Sequence, residues 1–348
     1  MTGRPLLTGV LLALASATAF GLTLPVLAWA GAGVGAATTA ALLYLGASLA
    51  SLAQKPFVED AGAPLTRAAW PALLVMSLAG AAVAPTLLAW GLQRTGPVTG
   101  GLLLNLEAVW TAALAALMFH EQLGRRVLAA LGLMTAGGVV LSLRDDGGLG
   151  WNSLGALAVV GATAAWALDN TASRRLADLR VLTVVATKGA LGAVLTIGLA
   201  LARGERRPEA WKVAALLAAG ATGYGFSLRL YVLAQRRVGA ARTASIFSLA
   251  PFIGAALGLL VVPTALGWPH LVSAALFTAG VALHVFERHA HPHHHHATEH
   301  EHPHRHDDGH HEHGHEPPFV GEHSHWHAHH DLEHSHEHAD DLHHGHSH

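Results

Sequence analysis

The hydrophobic pattern of this 348-residue chain is a series of long apolar runs, separated by short breaks that carry charges and turn residues. Ten of the runs reach about 17–25 residues, the length that a helix needs to cross the roughly 30 Å apolar core of a bilayer. The pattern therefore predicts ten membrane-spanning helices, with limits near 6–30, 33–53, 68–92, 97–119, 126–143, 152–172, 181–202, 211–234, 240–262 and 269–286.

The chain also contains an internal repeat. Without a gap, residues 96–141 match residues 239–284 at 13 of 46 positions, including the Thr-Ala-Gly of 135–137 and 278–280. We call the shift that places residue 96 on residue 239 the repeat offset. Five predicted spans separate the two copies, and an odd number gives the two halves opposite orientations in a membrane. Inverted repeats of this kind are typical of secondary transporters, which bind their substrate near the midplane between the halves.

Composition and charge divide the chain into two parts. With 51% hydrophobic and only 13% charged residues, against roughly 25% charged in soluble domains, the chain is predicted to be an integral membrane protein. Residues 1–290 hold 20 Lys and Arg against 11 Asp and Glu, whereas residues 291–348 hold one Arg against 12 acidic residues and 25 of the 29 histidines. Basic residues are denser in alternate breaks, which favours a cytoplasmic position for both termini.

The His-rich tail has no apolar periodicity from His291 onward, so we predict that it is disordered. Its imidazole and carboxylate groups suit zinc, nickel, cobalt or copper. No ordered four-ligand spacing stands out, so we expect weak, exchangeable metal sites among His291, His293, His294, His295, His296, His311, His313, His315, His323, His325, His327, His334, His336, His338, His344, His346 and His348. The tail could capture or sense metal that the membrane part moves, store metal or regulate with pH, or have little consequence.

Several segments resemble a known family. The run "LLLNLEAVWTAALAALMFHEQLGRRVLAALGLMTAGGVVLSL" and its second copy "SLAPFIGAALGLLVVPTALG" are similar to EamA domains of the drug/metabolite transporter superfamily, and "WALDNTASRRL" to a subgroup with a His-rich tail. The resemblance covers nearly all of residues 1–290. It implies an all-α integral membrane protein with ten transmembrane helices in two inverted five-helix repeats, and export or exchange of small solutes. Glu121 keeps an acidic residue at the end of the first motif, where the second copy has Thr264.

Glu107 is the only ionisable side chain in the run 101–119, about halfway through the fourth span. A charge at the centre of a membrane helix costs about 2.5–3.5 kcal/mol on insertion scales, so its presence favours a functional role. We interpret Glu107 as a carboxylate that binds the coupling proton or cation; the alternative is a structural carboxylate satisfied by neighbouring groups. Trp110, at i+3, shares its helical face and is a candidate cavity residue, as is Asn105.

Asp169 and Lys188 flank the turn between the sixth and seventh spans and reach similar depth in an antiparallel hairpin. The sequence therefore predicts a buried ion pair, acting as a structural clamp or as a gate that responds to substrate. Asn170 and Tyr224 are further candidates to line the cavity. Arg229 is predicted to extend its charge to the membrane interface, with a place in the cavity as the alternative.

Together these patterns predict a first repeat at 1–146, a second at 147–288 and a disordered tail at 289–348. We predict a secondary active transporter of the inner membrane that exports small organic metabolites with proton or cation coupling, binds no nucleic acid and needs no cofactor. A divalent-metal transporter fed by the tail, and a membrane-anchored metal sensor or buffer, are the alternatives. The lipid bilayer is an expected partner, and a homodimer is left open. No nucleophile elbow, H-E-x-x-H or phosphate loop indicates an enzyme, and the lack of cysteine excludes thiol chemistry.

Overall fold

The computed structural model describes residues 3–58, 60, 62–119, 123–142, 151–176, 179–238, 240–262, 265–285, 289–295, 298–304, 323–329 and 332–338. Contacts divide the chain into two compact units, Met1–Phe286 and Glu287–His348. In the first unit the α-helices are α1 (Gly3–Gly21), α2 (Thr23–Ala30), α3 (Ala36–Gln54), α4 (Trp70–Leu78), α5 (Ala84–Leu103), α6 (Leu106–Phe119), α7 (Arg125–Ser142), α8 (Trp151–Ser173), α9 (Val181–Ala202), α10 (Ala210–Gly220), α11 (Ser227–Val238), α12 (Ala240–Phe247), α13 (Ala250–Val261) and α14 (Trp268–Val285).

These helices account for the ten predicted spans, so the all-α membrane fold is confirmed. In the described residues, six helical stretches are long and apolar enough to cross a membrane by length and composition: Leu7–Ala30, Ala36–Phe57, Arg67–Leu103, Val181–Ala202, Ala210–Gln235 and Arg242–Val261. Two shorter apolar helices, Leu106–Met118 and Trp268–Leu283, add to them.

One short predicted break between spans agrees with the structure. The sequence placed a linker between residues 92 and 97, and the backbone of α5 is non-helical and kinked at Gly96. Gly96 has a φ of 77°, a left-handed conformation that glycine adopts at low cost, and Pro97 follows it. The chain therefore turns at a single residue within the predicted break.

Two of the spans are broken in the middle by the same device. Between α5 and α6, the Asn105 side chain donates a hydrogen bond to the Leu102 carbonyl at 2.9 Å. Between α12 and α13, the Ser248 hydroxyl donates to the Ser245 carbonyl at 2.7 Å. The repeat offset places the first pair of residues on the second pair, so the break is part of the repeat. A short polar side chain that bonds to its own backbone competes with the helix at that point.

Helix packing follows the repeat. Gly137 of α7 lies against Phe277 of α14, and Gly280 of α14 lies against Met134 of α7. The repeat offset relates each residue of one contact to its counterpart in the other, so the two contacts are reciprocal. Because glycine has no side chain, the two helices can approach closely at these positions. The repeat predicted from the sequence is therefore confirmed in the three-dimensional structure.

The helices α3 and α9 make the most extensive helix–helix contact in the described residues and are capped reciprocally. Glu205, which follows α9, accepts hydrogen bonds from the Thr38 backbone N–H at 2.8 Å and hydroxyl at 2.7 Å at the start of α3. Asp60, which follows α3, accepts the same two bonds from Thr183 at the start of α9, at 3.1 and 3.0 Å. The shift that relates these two caps is slightly larger than the repeat offset, so the spacing of the repeat changes between spans.

Each half also contains a π-helical stretch. We name Ala79–Val83, between α4 and α5, the first π segment, and Ala221–Phe226, between α10 and α11, the second π segment. The repeat offset places one on the other. A π-helical turn widens the helix and changes its hydrogen-bond pattern, and such turns are frequent at functional sites.

The described residues of the second unit form four short strands: β1 (His289–His295), β2 (Thr298–His304), β3 (His323–His329) and β4 (Leu332–His338). Strand β1 pairs with β4, and β2 with β3, each in antiparallel register. This pairing was not predicted from the sequence, although the alternating His-x-His pattern has the period of a strand. Two-stranded ladders are at best marginally stable alone, in keeping with a tail that has almost no core-forming residues.

Candidate functional site

Glu107 lies in the first turn of α6, directly after the break at Asn105. Its Oε1 accepts a hydrogen bond from Asn170 Nδ2 at 2.6 Å, which joins α6 to α8. The N–H groups and the dipole at a helix N-terminus favour a negative charge. The backbone N–H groups of Glu107 and Ala108 donate to the Leu104 and Asn105 carbonyls at 3.1 and 3.3 Å, so among the described residues the hydrogen-bond partner of the Glu107 carboxylate is the Asn170 side chain.

Asp169 of α8 and Lys188 of α9 form an ion pair between Asp169 Oδ2 and Lys188 Nζ. Their side chains are 7% and 15% exposed, so the pair is largely removed from solvent. The pairing that the sequence predicted from the depth of the two residues is confirmed. Asp169 Oδ1 is buried and has no hydrogen-bond partner among the described residues, so the carboxylate keeps one acceptor free.

The two polar contacts lie side by side. Asp169 and Asn170 are consecutive in α8, and Glu107 is within electrostatic range of both Asp169 and Lys188. We name Glu107, Asn170, Asp169 and Lys188 the charged site. It contains two carboxylates and one ammonium group. When both acids are ionised, the site therefore carries one uncompensated negative charge.

The first π segment lies against the charged site at Gly80. Its carbonyl accepts hydrogen bonds from the Tyr44 hydroxyl at 2.6 Å and from the Trp166 indole N–H at 3.1 Å. A Cβ at Gly80 would collide with the Asp169 carboxylate, so only glycine admits the acid at this distance. Tyr44, Gly80 and Trp166 therefore hold Asp169 in place from three different helical stretches.

Sequence reasoning missed these three supporting residues. Tyr44 is one of only three tyrosines in the chain, and Trp166 precedes Asp169 by one helical turn, so each carried a weak signal. Gly80 carried none, because the chain has 38 glycines and nothing in the local pattern marks the one that contacts an acid.

The second π segment borders aromatic rings instead of charges. We name Phe20, Tyr44, Tyr224, Tyr231 and Phe247 the aromatic cluster. Tyr224 contacts Tyr44 and Phe20 with ring centroids 5.3 and 5.4 Å apart, Phe20 contacts Phe247 at 5.5 Å, and Phe247 contacts Tyr231 at 5.1 Å. Tyr44 thus belongs to both regions: its hydroxyl binds the first π segment and its ring packs on the second.

The other predicted cavity residues are more dispersed. Asn105 is buried and bonded to its own backbone at the helix break, so it shapes α6 instead of joining the charged site. Trp110 is 40% exposed at the surface. Arg229 lies on α11, half-buried, and Nη1 donates to Gln54 Oε1 at 3.4 Å. The structure therefore brings together Glu107 with Asn170 and Asp169 with Lys188, and Tyr224 joins them through Tyr44.

Metal ligands are grouped nowhere in the described residues in sets of three or more His, Cys, Asp or Glu side chains. Of the predicted ligands in the tail, His296, His311, His313, His315, His344, His346 and His348 lie outside the described residues. Metal binding by the tail therefore stays a prediction.

Comparison with known proteins gives a consistent result. The model of the EamA-like transporter family matches residues 7–143 and, a second time, residues 153–286. A protein of Methanothermobacter thermautotrophicus (strain Delta H) described as an uncharacterized transporter is 26% identical over 220 residues, which are 60% of this chain and 62% of that protein. The chain thus spans about three fifths of the length of this relative. A solved crystal structure with 20% identity superposes with a TM-score of 0.58 over 81% of this chain and 98% of that chain, which shows a shared fold.

Proposed function

Because this chain belongs to the EamA-like transporter family, a family of multi-pass membrane proteins, we propose that it is a secondary active transporter that exports a small organic metabolite across the bacterial inner membrane. In this proposal both termini are cytoplasmic. The two inverted halves alternate access to a site between them, and Glu107 carries the coupling proton or cation.

The observation that carries this proposal is the environment of Glu107. It sits at the N-terminal end of a helix broken inside its span, with one hydrogen bond from Asn170 and an ion pair close by. Broken helices that present a terminus at the membrane midplane are typical of substrate and ion sites in secondary transporters. A purely structural polar residue could be an amide, whereas a carboxylate can also exchange a proton or bind a cation.

The charged site also supplies a reason for alternation. When Glu107 is ionised, the site has an unbalanced negative charge that favours binding of a proton or a cation. When Glu107 is neutral, the site contains only the balanced pair of Asp169 and Lys188 and can be closed off from water on both sides at lower cost. The switch of access from one side to the other is thereby linked to occupation of Glu107.

The test is substrate-driven proton movement in liposomes that contain the purified protein and a trapped pH-sensitive dye. A panel of small amino acids, organic acids and amines is added outside, and we expect a subset to drive proton flux. Glu107→Gln keeps an oxygen to accept the Asn170 hydrogen bond but cannot ionise, so the flux should fall to that of protein-free liposomes. Glu209→Gln, which alters an exposed acid, is the matched control and should leave the flux unchanged. Wild-type flux in Glu107→Gln would contradict the proposed role.

A second candidate function, transport of divalent transition metals fed by the tail, draws support from the strand register. Histidines occupy opposing positions at His291 and His336, His293 and His334, and His302 and His325. Imidazole is a common ligand of these metals, so this register is the observation that favours metal handling.

Cellular metal content separates the candidates. Nickel, cobalt, copper and zinc would be measured in cells that express the intact protein, Glu107→Gln or a chain ending at residue 290. A change in metal that requires Glu107 would favour metal transport. A change that depends on the tail alone would favour the alternative of a membrane-anchored metal sensor or buffer, and an unchanged metal content would leave the organic metabolite as the substrate.

A further inference from the structure

Arg229 is a basic residue inside the eighth predicted span, and its guanidinium is incompletely satisfied. Nη1 makes one long hydrogen bond to Gln54, whereas Nε is buried and has no partner among the described residues. No carboxylate of the described residues forms an ion pair with it, in contrast to Lys188, which is paired with Asp169. Arginine stays charged in proteins, and a buried donor such as Nε that lacks an acceptor is costly.

A second unsatisfied group lies on α3, near the residue that Arg229 contacts. Gly225 of the second π segment lies against Ala50 of α3. Gln54, which accepts the hydrogen bond from Arg229, is one turn beyond Ala50. Ser51, one turn before Gln54, is fully buried with no hydrogen-bond partner for Oγ among the described residues. A charged donor that contacts Gln54 and a hydroxyl donor one turn from Gln54 thus remain open.

The equivalent positions of the repeat show that this arrangement is not required by the fold. The repeat offset places Thr86 at the position of Arg229, and its hydroxyl donates to the Ala82 carbonyl at 2.7 Å. The slightly larger shift between α3 and α9 places Thr196 at the position of Ser51, and its hydroxyl donates to the Gly192 carbonyl at 2.7 Å. Both counterparts are neutral and satisfied within their own helices, so the open donors are not repeated at the equivalent positions.

The surroundings of Arg229 suit a ligand with an apolar body. Tyr224, in the second π segment, precedes Arg229 by the hydrogen-bond spacing of a π-helical turn. Its ring belongs to the aromatic cluster and contacts Phe20 and Tyr44. Aromatic faces of this kind pack readily against apolar or aromatic groups.

We propose that Arg229, Ser51 and Gln54 bind the anionic group of the transported solute, so that the substrate is an organic anion whose apolar or aromatic body packs on the aromatic cluster. This inference rests on the proposed function and names its substrate class. Glu107 and Arg229 then have separate tasks, with Glu107 taking the coupling cation or proton and Arg229 taking the carboxylate or phosphate of the solute. A guanidinium suits both anions because its planar donors match their oxygens.

Binding of matched probes to the purified full-length protein tests the proposal. The probes are benzoate and phenyl phosphate as anions, benzamide as a neutral analogue and benzylamine as a cation, each titrated while the melting temperature is recorded. The anions should raise the melting temperature in a saturable manner, with an affinity about tenfold or more above that of benzamide, because a hydrogen bond to a charged group is worth about a factor of ten or more. Benzylamine should bind no better than benzamide.

The variants locate the site. Arg229→Gln should weaken binding of both anions about tenfold or more, and Ser51→Ala about two- to tenfold. Arg237→Gln removes an exposed arginine of the same helix and should leave binding unchanged. If Arg229→Gln does not fold, Arg229→Lys and Ser51→Ala carry the test, because both keep the size of the site approximately and weaken only its donors.

Three outcomes would overturn the proposal: anions that bind no better than benzamide, tighter binding of benzylamine, or unchanged anion affinity in Arg229→Gln and Ser51→Ala. Glu107→Gln should still bind benzoate. If anions bind at Arg229 but no panel member drives proton flux through the wild-type protein, the proposed function fails while the anion site stands. If flux requires Glu107 but only cations bind, the anion site fails alone.

Discussion

The two π segments have the same backbone and opposite chemistry. Gly80 of the first lies against the carboxylate of Asp169, whereas Gly223 of the second lies against the methyl group of Thr23. Aligning the start of α3 with the start of α9 makes Leu43 the counterpart of Lys188, and Leu43 is fully buried. A neutral pair of side chains in one half thus replaces the ion pair of the other.

Other counterparts differ in the same direction. The repeat offset places Glu107 on Ala250, and Phe20, one turn before Thr23, stands where Trp166 stands before Asp169. The repeat therefore preserves the helix breaks, the tight glycine contacts and the caps, whereas Glu107, Asp169 and Lys188 have neutral counterparts. This difference teaches that the architecture needs no charge at these places, which makes the charged site a candidate for function instead of folding.

The largest effect is expected from dividing the ion pair. Asp169→Asn leaves Lys188 without its anion in a buried place and should lower the free energy of unfolding by about 3–5 kcal/mol. The double variant Asp169→Thr with Lys188→Leu installs the residues of the other half and should recover more than half of this loss without restoring flux. Thermal unfolding of purified protein in detergent measures both; a double variant as unstable as the single one would contradict the comparison.

Adding a methyl group to either π segment should have a smaller effect on stability and an unequal effect on flux. Gly80→Ala and Gly223→Ala each overpack a tight contact, which costs about 1–3 kcal/mol. Only Gly80→Ala displaces Asp169, so it should reduce maximal proton flux far more than Gly223→Ala does. Equal losses of flux at equal stability would show that the two regions matter alike.

The reciprocal caps should respond equally. Asp60→Ala and Glu205→Ala each remove the acceptor of a helix N-terminus and should lower the free energy of unfolding by about 1 kcal/mol. They cap different helices, so their effects should add in the double variant. Glu209→Ala is the exposed control, measured by the same thermal unfolding. A double variant with the same free energy of unfolding as either single variant would argue against independent caps.

The smallest expected difference in stability is between variants of Tyr44 and Tyr224, whose rings are in contact. Tyr44→Phe removes the hydrogen bond to the Gly80 carbonyl and should cost about 0.5–1.5 kcal/mol. The buried Tyr224 hydroxyl has no hydrogen-bond partner among the described residues, since the nearby Thr23 hydroxyl donates to the Phe20 carbonyl at 2.6 Å. Tyr224→Phe should therefore cost the ligand-free protein little or stabilise it slightly. Melting temperatures in the absence of ligand test this order, and a larger loss for Tyr224→Phe would reverse it.

Much of the fold was predictable from residue patterns. The ten apolar runs and the internal repeat led to ten spans in two inverted halves, because span length is dictated by the bilayer and the periodic matches lie along the chain. The pairing of Asp169 with Lys188 was also predictable, since both flank one short turn. The strands of the tail were not, because they depend on backbone pairing between segments distant in the chain.

The sequence by itself determined the class of protein, the spans and the residues that carry unusual chemistry. Long apolar runs, and a charged residue inside such a run, can be recognised directly from the order of residues along the chain. Only the tertiary structure decided which of these residues act together. Glu107 meets Asn170 from a helix two spans away in the chain, Gly80 admits Asp169 because it lacks a side chain, and Arg229 contacts Gln54 with its buried Nε left open. Such contacts arise from helix packing between distant spans, and no local spacing along the chain encodes them.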